Sequence, residues 1–122
     1  MFLQAYREKM IEIDGIVNLV AQYAKHGWTL RRLLLSERTF ADLSESVRTQ
    51  FPDAEPQPHE IDALWFSRKN KDSETWELRR LGSPPFALVE VIEYTLSADE
   101  RESKLASIEL EMAKPRPSAT EH

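Results

Sequence analysis

Residues 60–92, EIDALWFSRKNKDSETWELRRLGSPPFALVEVI, decide the fold class. Ile61, Ala63 and Trp65 fall on one face of an extended chain, Leu64 and Phe66 on the other. Beyond a polar break, Trp76, Leu78 and Arg80 alternate with Glu77, Arg79 and Leu81. A period of two carried by aromatic and aliphatic residues is a strand signal. Lys69-Asn70-Lys71-Asp72-Ser73 has the length and composition of a hairpin loop. The stretch therefore reads as a β-hairpin, 60–68 with 74–81. Gly82-Ser83-Pro84-Pro85 turns the chain again. Residues 86–96 fit either a strand, from Val89, Val91, Ile92 and Thr95, or a helix capped by Ser83 with Pro84 in its first turn; strand is preferred.

Working outward, residues 2–25 carry Tyr6, Met10, Ile13, Val17, Val20 and Ala24 at steps of three and four, a helical seam. Lys25-His26-Gly27 supplies its stop, with cations near the negative end of the helix dipole and a glycine that accepts positive φ. Residues 28–35 alternate as a strand. Phe40, Leu43, Val47 and Phe51 recur at helical spacing, and Thr39 with Asp42 resembles a capping box. Pro52 ends that helix. Residues 52–58, PDAEPQP, read as an extended surface connection. Ser97 and Glu100 form an S-x-x-E capping box before a helix over 98–112, whose apolar stripe of Leu105, Ile108 and Met112 is thin. Residues 114–122 hold two prolines and no apolar period, and are expected to be disordered.

The expected architecture is one α+β domain over residues 1–113, in the order α-β-α-β-β-β-α. A mostly antiparallel sheet of about four strands would be backed by the long N-terminal helix.

Composition narrows the function classes. The net charge is −5, and residues 82–122 hold eight acidic against four basic side chains, so the chain as a whole does not attract nucleic acid or anionic lipid. There is no cysteine, which removes disulfides and thiolate metal sites and fits a reducing cytoplasm. No apolar run is long enough for a membrane helix. The three glycines are far apart and build no phosphate-cradling loop, and there is no G-x-S-x-G elbow. His59 stands near carboxylates but lacks a second histidine at helical spacing, so no metal or cofactor is expected.

Two constellations remain. Arg32, Arg68, Lys71 and Arg80 lie in the sheet region with Trp65 and Trp76 between them; pairing of the arginines with Asp62, Glu74, Glu77 and Glu90 is the preferred reading, and a sheet face that stacks bases and holds phosphates or other anions is the alternative. Neighbouring strand residues point to opposite faces, so only one of Arg31 and Arg32, and one of Arg79 and Arg80, is expected on a given surface. The other constellation is apolar excess. The stripe of Met10, Ile13, Val17 and Val20 and both faces of 86–92 exceed the need of one small sheet. That points to a protein acting by protein contact, with a second copy or a small protein as partner. An enzyme with a cleft between helix and sheet, using His59 or Glu90, is the remaining expectation.

Overall fold

The computed structural model describes residues 11–82 and 84–115. The elements are α1 (Ile13–Ala24), β1 (Thr29–Leu35), α2 (Glu37–Gln50), β2 (Glu55–Pro58), β3 (Ala63–Lys69), β4 (Ser73–Arg80), β5 (Phe86–Glu93) and α3 (Ala98–Ala113). The five strands form one sheet in the order β2-β1-β3-β4-β5. The α+β class and the central hairpin are as expected, and 86–93 is strand. Met10, the first half of the anticipated N-terminal helix and most of the C-terminal tail lie outside the described residues.

Three features of the fold depart from the expectation. First, the segment 52–58 is not only a connection. Its second half is β2, paired parallel to β1 with Arg32 opposite Glu55 and Leu35 opposite Pro58. The sheet is therefore mixed and has five strands, with β1 between β2 and β3. Two prolines hide such a strand from pattern reading, because an interior strand cannot tolerate a missing N–H. Here they are tolerated because β2 is an edge. The His59 N–H donates to Leu35 O, so His59, and by alternation Gln57 and Glu55, face β1. Pro56 and Pro58 then face outward, where no donor is needed.

Second, helices cover both faces of the sheet. On one, α1 and α2 pack Ile16, Tyr23, Phe40 and Val47 on Leu33, Leu35, Leu64 and Phe66. On the other, α3 lays Leu105, Ile108 and Met112 on Leu34, Ala63, Trp65, Trp76 and Leu78. This explains why β3 is apolar on both faces, with Ala63, Leu64, Trp65, Phe66 and Ser67 all buried. Third, α2 begins earlier than Thr39 indicates, with Ser36 as its N-cap residue. The Asp62 carboxylate accepts from the Ser36 N–H (2.7 Å) and from its hydroxyl (3.0 Å), tying the helix start to the entry of β3.

The turns follow residue chemistry. Gly27 (φ 84°) links α1 to β1 and Gly82 (φ 95°) follows β4, both in the left-handed region that side chains disfavour. At the start of α3 the capping box is complete: Ser97 Oγ accepts from the Glu100 N–H and Glu100 Oε1 from the Ser97 N–H. These bonds to Ser97 hold the exposed Glu100 carboxyl below its ordinary value.

Candidate functional site

The arginine and aromatic residues are brought together, in an arrangement strand alternation does not give. The β1–β3 register shifts between Leu30 and Arg32. This bulge turns Arg31 to the same face as Arg32. Both guanidinium groups lie over the Trp76 ring, at 4.5 and 5.5 Å from its centroid. The expectation that only one of the pair joins a given surface fails at this position, because an extra residue resets the alternation. Leu30 and Leu33, an odd step apart, consequently share the opposite face's core.

Each of these charges has a partner. Arg31 Nη1 donates to Ser67 Oγ (2.8 Å) and meets Glu74 Oε2 at 3.3 Å, while Glu74 Oε1 accepts from the Trp76 indole (3.0 Å). Arg32 Nη2 donates to Glu102 Oε2 on α3 at 2.7 Å. That hydrogen bond, ahead of a smaller opposing effect of burial, holds the Glu102 carboxyl below its ordinary value. Trp76 is 1% exposed and Trp65 0%, packed edge to face at 5.8 Å. Neither ring offers a face on which a base could stack.

The other basic residues are dispersed. Arg68 lies over Trp28 on the α1 side of the sheet, 4.7 Å from the ring centroid, and donates to His26 O. Arg80 donates to Pro84 O (2.9 Å) beside Phe86, and Lys71 is exposed in the hairpin turn. Arg79 points to the α1 face, where Tyr23 hydroxyl donates to Glu77 Oε2 and Arg79 Nη1 reaches the same hydroxyl at 3.5 Å. Burial first, then the Glu77 acceptor, pushes the Tyr23 hydroxyl above its ordinary value. Arg79 Nε is buried with no acceptor among the described residues.

His59 finds its carboxylate fifty residues away. The N–H of Glu60 donates to His59 Nδ1 (2.8 Å), which leaves the proton on Nε2. Nε2 lies 3.0 Å from Glu109 Oε1, and the Trp65 indole donates to Glu109 Oε2 at 2.8 Å. This Trp65–Glu109–His59 chain pins α3 to β3 and to the end of β2. Among the described residues no group of three or more His, Cys, Asp or Glu could hold a metal ion. Among the described residues a surface cleft of about 310 Å³ lies between α1 and the end of β4. Neither His59 nor Glu90 lines it. Glu90 instead faces Lys104 of α3 at 3.8 Å.

The apolar excess lies mainly on β5. Ile13 and Val20 of the expected helical stripe are packed on the protein's own core, and Val17 is half-buried. By contrast Val89 and Val91 are 54% and 52% exposed, on the β5 face that α3 does not cover. Sequence reasoning noted both faces of 86–92 but could not tell which was left open.

No family model, curated protein or solved structure matches this chain. Among the described residues no helix is long and apolar enough to cross a membrane.

Proposed function

We propose that this protein works by protein–protein contact in the cytoplasm, as a homodimer, and that the outer edge of β5 is its contact strand. The observation that carries this reading is an asymmetry between the two edges of the sheet. The β2 edge presents Pro56 and Pro58 outward, and a row without N–H donors cannot accept another strand. Among the described residues the β5 edge has no such block.

Its outward groups follow from the ladder. The Leu81 N–H donates to Asp62 O, so odd-numbered residues of β4 face β3. The Tyr94 N–H donates to Asp72 O, so even-numbered residues of β5 face β4. Ala87, Val89, Val91 and Glu93 therefore direct their N–H and C=O groups away from β4. Exposed valines beside an open row of donors and acceptors are what strand addition uses.

Pairing of Arg31 and Arg32 with carboxylates, and the covered rings of Trp65 and Trp76, speak against base stacking on that part of the sheet. The lack of cysteine agrees with a reducing compartment. The test is mass in solution by sedimentation across the micromolar range, starting from a 14.2 kDa chain. A dimer that dissociates on dilution is expected. Val91→Pro removes an outward donor without touching the ladder to β4, and should leave a folded monomer, as should Val89→Lys. A wild-type chain that stays monomeric throughout the range overturns the homodimer reading.

A further inference from the structure

We infer that two copies join β5 to β5 in antiparallel fashion with Val89 on the two-fold axis, giving one continuous ten-stranded sheet. This rests on the contact reading above and specifies its partner, a second copy, and its register.

The argument compares the registers open to a two-fold pair. Residues opposite one another must lie on the same face, so the axis passes through a single residue of β5. With Leu88 on the axis, Pro85 falls opposite Val91, and its missing N–H interrupts the ladder. With Glu90 on the axis, the two Glu90 carboxylates oppose each other. They would do so in a non-hydrogen-bonded pair, where side chains approach most closely, and like charges directly opposite are destabilising. With Val91 on the axis, Val89 faces Glu93 of the second copy, which sets an apolar side chain against a charge.

With Val89 on the axis no proline lies opposite residues 87–91, no like charges are opposed, and the open face sets apolar residues only against apolar ones over that span. Ala87 lies opposite Val91 of the second copy, Val89 opposite Val89, and Val91 opposite Ala87. The open face then carries an uninterrupted apolar ladder across the junction. Glu90 faces Leu88 on the other side, and Glu93 lies opposite Pro85, at the end of the paired span. Since Ala87, Val89 and Val91 are the residues whose amides point outward, all three pairs are hydrogen-bonded, for about six new backbone bonds. Exposed apolar area and unpaired edge groups are thereby removed together.

Because the chain has no cysteine, single substitutions report the register directly. Opposed residues in a hydrogen-bonded pair have Cα atoms about 5.5 Å apart, inside the range of about 4.4–6.8 Å that a disulfide spans. Ala87→Cys would place its two sulfurs on residues offset by four positions, about 13 Å along the strands. Val89→Cys should therefore form a covalent dimer under mild oxidation. Leu88→Cys and Glu90→Cys, offset by two positions or about 7 Å, should form it more slowly than Val89→Cys, and Val91→Cys no faster than Ala87→Cys, which measures random collision. Sedimentation of the unoxidised wild type is run alongside. A wild-type dimer with fastest cross-linking at 88, 90 or 91 overturns the register and leaves the contact reading standing. A wild-type monomer with no position above the Ala87→Cys rate overturns both.

Discussion

The Trp65–Glu109–His59 chain yields the sharpest test of how α3 is held. Its apolar contribution is small, with Leu105 and Met112 its buried residues. Replacing Glu109 by Leu keeps the helix and supplies apolar bulk, but strands the indole N–H of a fully buried tryptophan and the Nε2 proton of His59. A buried donor left unsatisfied costs about 1–3 kcal/mol, and the lost bonds went to a charged acceptor, so a loss of about 3 kcal/mol is expected. That is a large fraction of a domain's net stability of about 5–15 kcal/mol. Glu109→Gln is the informative companion. Its carboxamide oxygen can still accept from Trp65. Its NH2 group meets His59 Nε2, which is itself a donor because the Glu60 N–H occupies Nδ1. One bond is kept and one is lost, so about 1–2 kcal/mol is expected. The assay is urea unfolding followed by tryptophan emission and by far-ultraviolet circular dichroism, with equal slopes required before midpoints are compared. A Glu109→Leu variant within about 0.5 kcal/mol of wild type would refute the pin, since that is the usual range of inconsequential surface changes.

Further tests address other contacts. Leu105→Ala opens a cavity under α3 and should cost about 2–5 kcal/mol in the same unfolding assay. Arg31→Ala and Arg32→Ala should each shift Trp76 emission to the red, with a stability loss of about 1 kcal/mol or less, because cation–π contacts and ion pairs near the surface are weak. If only one of them changes the emission, the two guanidinium groups do not share the ring. The Glu102 carboxyl is held below its ordinary value by Arg32, so its stabilisation is present above about pH 4.3 and fades as pH falls through its folded value. Arg32→Ala should remove that part of the acid limb, a small part because Glu102 is largely exposed to screening solvent. The Tyr23 hydroxyl is held above its ordinary value, so its stabilisation is present below about pH 10 and lost as pH rises through the folded value. Tyr23→Phe should flatten the alkaline limb of a stability–pH curve, and an unchanged limb would contradict the Tyr23–Glu77 contact.

Much of this protein is determined locally. Alternation over 60–81 specifies a hairpin, because in a pleated chain side chains change face at every residue. The spacing over 2–25, of which Ile13–Ala24 is helix among the described residues, and over 98–112 specifies helices, and Ser97 with Glu100 specifies where the last one starts. These signals survive in one dimension since each depends on neighbours within a turn. What the tertiary structure alone decided involves residues far apart in the chain. A proline-bearing tetrapeptide becomes β2 only because Leu33–Leu35 offers a free parallel edge that needs no outward donor. A bulge opposite Phe66 and Trp65 puts Arg31 beside Arg32 over one indole. Glu109 meets His59 and Trp65 only once α3 has crossed the sheet, on the face that apolar periodicity could not choose. Exposure of Val89 and Val91 is likewise a remainder: it is the surface that the helices among the described residues leave uncovered, and no local pattern records where a distant helix stops.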